Sequence, residues 1–129
     1  MMNKSGNKTV LIVEDDADIR TFTCRVLQLE GYACLQAETD VETFRLIREY
    51  NVGLVILDLR LAENNGWVIL SQLKNNEETA LIPVIVFTAS FGEQQKAQAL
   101  KMGAEEYLIK PLSANVLKDS VTRILPINR

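Results

Sequence analysis

Three uninterrupted apolar runs constrain this chain most: Val10-Leu11-Ile12-Val13, Leu54-Val55-Ile56-Leu57 and Val84-Ile85-Val86-Phe87. Each is rich in β-branched residues and bounded by polar or turn-forming positions. A strand with one wet face alternates apolar and polar residues, whereas a strand with no alternation is covered on both faces, as in a parallel sheet. Tyr32 to Ala37 and Glu106 to Ile109 fit the same rhythm more weakly, and their mixed character suits sheet edges. Pro83 opens the third run, where a missing N–H does little harm.

Helical periodicity fills the intervals. Ile19, Phe22, Thr23, Val26 and Leu27 form one apolar face, with Gly31 as its stop. Asp40 is placed to cap a second helix, whose inner face is Val41, Phe44 and Ile47. Ile69, Leu70 and Leu73 mark a third, with Trp67 as a packing residue at its start. Gly92 to Met102 reads as a fourth, stopped by Gly103, and Ser113 caps a fifth that turns Leu117, Val121 and Ile124 inward. Five strand–helix units in alternation give an α/β doubly wound sheet, here a five-stranded parallel one with five helices.

In such a sheet the functional loops gather at the carboxyl ends of the strands. Those ends read Glu14-Asp15-Asp16, Asp58, Thr88-Ala89-Ser90 and Lys110-Pro111. Carboxylates that converge without a partner repel one another, and a hard divalent cation relieves that repulsion. An ammonium group opposite adds a point charge for phosphate, and hydroxyl and amide donors serve the remaining phosphoryl oxygens. Carboxylates are covalent nucleophiles in phosphoryl transfer, where positioning and charge neutralisation carry most of the catalysis. These residue types point to a magnesium-dependent aspartyl-phosphate site. Taken alone, the acidic triplet would be an ordinary solvated helix start; the convergence of Asp58 and Lys110 on the same rim weighs against that.

Composition narrows the alternatives. The chain of 129 residues has no histidine, which excludes an imidazole base, a histidine metal ligand or a phosphohistidine of its own. Its net charge of −3 gives no electrostatic footprint for nucleic acid. No apolar run is long enough to span a bilayer. The two cysteines, Cys24 and Cys34, lack metal-site spacing and read as small buried or half-buried thiols of a cytoplasmic protein. Residues 1–8 read as a disordered leader, 9–125 as a single domain and 126–129 as a short tail.

The segments VLIVEDD, LVILDLRLAENNG, IPVIVFTAS and GAEEYLIKPL, in that order and at those spacings, resemble the receiver domains of two-component response regulators. The resemblance covers about Thr9 to Leu125. It implies a flavodoxin-like sheet of order 2-1-3-4-5, in which the first and third strands flank the switch point and bring Asp15 to Asp58. It implies Asp58 as phosphoacceptor, and magnesium or manganese held by Glu14, Asp15, Asp58 and the backbone carbonyl of Arg60. Thr88 resembles the switch hydroxyl, Ala89 the amide donor to the phosphoryl group, and Lys110 the lysine that bridges carboxylate and phosphoryl oxygens. Pro111 would follow a cis peptide bond, and Gly66 would serve a tight turn. Arg60 and Ser90 fall where the family tunes hydrolysis. Tyr107 takes the aromatic switch position, so phosphorylation would draw Thr88 inward, let the ring turn in, and alter the face of the fourth helix, fifth strand and fifth helix.

The resemblance also implies partners: a sensor histidine kinase or a histidine phosphotransfer protein upstream, and an output protein or fused output domain downstream, with no membrane contact and no direct nucleic-acid binding by this domain. It implies a phosphoacceptor switch rather than a turnover enzyme. Ala62 and Asn65 replace a frequent Pro and Asp, so the loop after Asp58 is expected to be looser than usual. The first member of the acidic pair, Glu14, is longer than Asp, as is common in the family, and that length favours a water-mediated metal contact. Three other readings compete, and one of them, an Asp-based phosphatase, would need a second acid where Arg60 stands. A degenerate receiver would lack part of the Asp58–Thr88–Lys110 set. A flavin-binding enzyme would need a Gly-rich loop where Glu14-Asp15-Asp16-Ala17-Asp18 stands.

Overall fold

The computed structural model describes residues 8–61, 65–90 and 92–127. Of the expected disordered leader at residues 1–8, residues 1–7 lie outside them, as does Ala62 of the expected looser loop, whereas Lys8 is held at the sheet edge, its carbonyl accepting from Ala33 N–H at 3.1 Å. The elements alternate as expected: β1 (Thr9–Val13), α1 (Ala17–Glu30), β2 (Ala33–Ala37), α2 (Asp40–Glu49), β3 (Leu54–Leu57), α3 (Gly66–Asn75), β4 (Val84–Thr88), α4 (Glu93–Lys101), β5 (Glu106–Ile109) and α5 (Ala114–Ile124). All strand pairs are parallel and the order is β2-β1-β3-β4-β5. The two compositionally mixed strands are the edges.

The apolar runs are explained by their two faces. Leu11, Val13, Val55, Leu57, Val84 and Val86 enter one core with Ile69, Leu70 and Leu73 of α3. Val10, Ile12, Leu54, Ile56, Ile85 and Phe87 enter the other with Leu27 of α1 and Leu117 and Val121 of α5. Successive side chains point to opposite faces, so burial of both demands an unbroken run. Truncating any of these leucines to alanine costs about 2–5 kcal/mol, from lost transfer energy plus the cavity.

Helix ends follow side-chain chemistry with one exchange. Gly31 is left-handed at φ 112° and closes α1 with its N–H on Gln28 and Leu27. Ser113 caps α5 through Val116 N–H. Thr39, not Asp40, caps α2: its hydroxyl accepts from Glu42 N–H, and Asp40 becomes the first helical residue. Val41 turns outward, where it is 73% exposed, while Thr43 and Leu46 lie inside and Phe44 and Ile47 pack partly buried against the core as expected. Helix α4 is the least anchored. Gly92 gives it no side-chain cap, and Ala99 is its one buried residue.

The chain end adds an unexpected contact. Ile127 packs against the α1-side core, and Pro126 O accepts from Lys8 Nζ. Among the described residues, no helix is long and apolar enough to cross a membrane. Both cysteines are free thiols, Cys24 buried and Cys34 half-buried.

Candidate functional site

The carboxyl ends of β1, β3, β4 and β5 meet on one rim. Asp58 follows β3, and its amide donates to Val13 O at 3.1 Å, which ties the two strand ends together. Glu14 follows β1 and donates its N–H to Ala37 O at 3.0 Å. Both are buried, at 5% and 3% exposure, and Asp15 is half-buried beside them. One oxygen from each of Glu14, Asp15 and Asp58 lies within 4.8 Å of the others.

Lys110 supplies the counter-charge. Its Nζ donates to Glu14 Oε1 at 2.6 Å and Asp58 Oδ2 at 2.9 Å, and it lies 5.6 Å from the centre of the Phe87 ring. Burial opposes the ammonium charge, but the bonds to Glu14 and Asp58 outweigh it and hold the Lys110 pKa above its ordinary value. For Glu14 burial wins: it pushes the carboxyl up against the Lys110 and Asp16 N–H bonds, and the Asp58 charge adds to the rise. A pair of buried carboxylates served by one ammonium is under-compensated, which is the condition a divalent cation relieves. The donor set is all oxygen, as magnesium and manganese prefer.

The rest of the rim divides by role. Arg60 is exposed, and its amide donates to Asp58 Oδ1 at 2.9 Å. Thr88 is fully buried at the end of β4, and its Oγ1 accepts from Ser90 N–H at 3.3 Å. Ala89 follows it, exposed. The Lys110–Pro111 bond is cis. Gly66 opens α3 with its N–H on Leu59 O at 3.1 Å, after Asn65, whose side chain caps the helix through Trp67 N–H. Tyr107 is already inward: the residue is 8% exposed and its hydroxyl donates to Ser90 O at 2.8 Å. Burial first, and then the charge of Asp58, raise its pKa.

Sequence reasoning left Asp16 outside the ligand set, misplaced Phe22 and passed over Arg20. Asp16 is the N-cap of α1, accepting from Asp18 and Ile19 N–H at 2.9 and 3.1 Å, so the helix-start reading of the acidic triplet holds for that residue. Phe22, expected on the inner face of α1, is 48% exposed, because the helix turns Cys24 inward beside the expected Thr23, Val26 and Leu27. It borders a shallow apolar depression with Ile19, Phe87, Lys110, Pro111 and Leu112, beside the site. Arg20 was not foreseen at all, because its partners lie on other segments.

The sequence profile of the response regulator receiver domain matches residues 10–122. The chain belongs to that family. The receiver is 36% identical over 118 residues to the phosphate regulon transcriptional regulatory protein PhoB of Pseudomonas aeruginosa, covering 92% of this chain and 52% of that protein. It superposes with a TM-score of 0.83 on a CheY-like receiver domain protein from Methanospirillum hungatei, at 26% identity and covering 92% of this chain and 94% of the other. The receiver domain of NtrX from Brucella abortus gives a TM-score of 0.84 at 25% identity, covering 92% and 99%. The receiver spans about half the length of the curated relatives it matches first. As a member of this family it is a signalling domain of two-component systems, a class phosphorylated by kinases.

Proposed function

We propose that the receiver takes a phosphoryl group onto Asp58 from a phosphohistidine of a sensor kinase or histidine phosphotransfer protein, and passes the change to an output partner or fused output domain. The observation that carries this reading is Lys110 Nζ bridging Asp58 and Glu14 on a buried rim, with Asp15 completing a cluster of three carboxylates. An Asp58 oxygen attacks phosphorus, the phosphorus–nitrogen bond breaks, and the donor imidazole leaves with the bonding electrons. Glu14, Asp15, Asp58 and the Arg60 carbonyl would hold magnesium or manganese, which supplies charge neutralisation at the nucleophile and the phosphoryl oxygens. Lys110, the Thr88 hydroxyl and the Ala89 amide bind the transferred group. The 2.9 Å bond from Arg60 N–H keeps Asp58 Oδ1 oriented before transfer.

The working unit is residues 9–125, supported by the profile match over 10–122. It acts as a switch and not as a turnover enzyme. The apolar depression beside Lys110 and the half-exposed Phe22 suit a protein donor rather than a small one alone. The weakly anchored α4 supports an output surface built from α4, β5 and α5.

Intact-mass measurement after incubation with acetyl phosphate and magnesium tests the assignment. Wild type gains one phosphoryl mass and Asp58→Asn gains none; equal uptake by both proteins overturns it. Full-rate uptake in excess chelator overturns the metal requirement.

A further inference from the structure

Arg20 of α1 lies folded back over the ends of β1 and β2, with its side chain only 12% exposed. Its guanidinium makes three bonds. Nη1 donates to the Glu14 carbonyl oxygen at 2.7 Å, Nε to Gln36 Oε1 at 3.0 Å and Nη2 to Glu38 Oε2 at 3.3 Å. Glu14 is therefore held at both ends of its backbone, since its own N–H is on Ala37 O. The carbonyl that Arg20 grips belongs to the peptide plane joining Glu14 to Asp15. That plane is rigid, so fixing the carbonyl fixes the direction in which Asp15 leaves the strand.

We propose that Arg20 is a positioning residue of the acidic cluster: through the Glu14 carbonyl it sets the orientation of Asp15 and with it the cation affinity of the site. The inference rests on the metal reading above and deepens it. Gln36 and Glu38 are part of the device, because they fix the other two edges of the guanidinium fork and a rigid fork loses less freedom for each bond formed. Lysine offers a charge but no fork.

For removal of Arg20, charge and positioning predict opposite signs, which makes that variant the decisive one. A cation beside three carboxylates already offsets their repulsion, so if Arg20 acted by charge alone its removal would tighten metal binding. If it acts by orientation, removal weakens binding, and partners that orient metal ligands are typically worth about 10-fold or more in affinity.

The experiment titrates Mn2+ into the full chain, following the electron paramagnetic resonance signal of the free ion, for wild type, Arg20→Gln, Arg20→Lys and Glu38→Gln. Thermal melts identify a temperature at which every variant compared is folded. The Mn2+ Kd is expected to rise about tenfold in Arg20→Gln, with Arg20→Lys intermediate and Glu38→Gln showing a smaller rise in the same direction. Unchanged or tighter binding in Arg20→Gln overturns the inference. Should that variant not fold, unchanged or tighter binding in both Arg20→Lys and Glu38→Gln overturns it equally. A wild type that binds no Mn2+ overturns the metal reading and this inference together, whereas a binding wild type with indifferent variants overturns this inference alone.

Discussion

A methyl group placed on Gly66 would fall 2.3 Å from the Asp58 carbonyl oxygen and 2.5 Å from Leu59 Cα. Both are backbone atoms, so no side-chain rotation relieves the contact. The first residue of α3 is thereby seated directly on the end of β3 that carries Asp58. Gly66→Ala must push the two segments apart, and overpacking of this kind costs about 1–3 kcal/mol. Urea denaturation should show that loss. Phosphoryl uptake at Asp58 should slow as well, because the displaced atoms belong to that residue. Wild-type stability together with wild-type uptake would show that the loop relaxes without consequence.

Lys74 has a structural task unconnected with phosphate. Its Nζ donates to Ala80 O at 3.0 Å and Ile82 O at 2.7 Å, closing the α3–β4 connection. Burial pushes its pKa down, opposed by the charge of Glu105. Lys74→Met keeps an aliphatic chain and removes the donor, leaving two partly buried carbonyls to find water. The expected cost is about 1–3 kcal/mol. It should be read from the urea midpoint, with Asp58 phosphorylation unchanged in rate. An unchanged midpoint would mean that solvent replaces the ammonium.

The sheet was legible because its signal is local. Leu54–Leu57 and Val84–Phe87 announce two buried faces within four residues each, and the edges β2 and β5 announce themselves by losing that character. Gly31, Gly103 and Ser113 were legible because helix ends depend on one residue's backbone or hydroxyl. The convergence of Asp58 and Lys110 followed from topology. Val41 and Phe22 were misplaced because an amphipathic stripe fixes a helix face only to within a residue's rotation. In α2 the buried positions, Thr43 and Leu46, fall one residue before the expected Phe44 and Ile47. Arg20 left no local trace: Gln36 and Glu38, which define its role, are 16 and 18 residues away on another strand and loop.

Glu106 should give stability an acid limb. Burial raises its pKa, but the Ser120 hydroxyl at 2.6 Å and the Arg123 guanidinium outweigh that and hold it below the ordinary 4.5. A carboxylate with a lowered folded pKa stabilises the fold above its unfolded value, and that contribution is lost as pH falls through 4.5 and then through the lower folded value. Glu106→Gln removes the charge, so at neutral pH it should cost at most about 1 kcal/mol for so exposed a pair. The difference between wild type and variant should shrink as pH falls below 4.5. Thermal melts at several pH values measure it; a difference that stays constant into acid would assign the stabilisation to packing.

Ser90 joins the two residues expected to transmit the phosphorylation signal. Its N–H donates to Thr88 Oγ1 at 3.3 Å and its carbonyl accepts from the Tyr107 hydroxyl at 2.8 Å. Thr88 is fully buried and Tyr107 nearly so, which leaves little room for a large swing of the ring. A phosphoryl group on Asp58 would attract the Thr88 hydroxyl as a charge-assisted donor, and rotation of that hydroxyl loosens the Ser90 N–H bond. Ser90 then moves with its carbonyl, taking the Tyr107 bond with it, and α4 begins at Glu93, three residues after Ser90, with no side-chain cap to resist. The signal is therefore expected to pass through the Ser90 peptide rather than through the aromatic ring alone. Amide NMR spectra with beryllofluoride and magnesium should show shifts at Ser90, across 92–102 and across 106–109 in wild type. In Tyr107→Phe, which loses one hydrogen bond worth about 1 kcal/mol, the shifts should persist at Ser90 and weaken across 106–109. In Thr88→Ala they should be confined to the strand ends around Asp58. Equal shifts across 92–109 in wild type and Thr88→Ala would show that the Thr88–Ser90 link carries nothing.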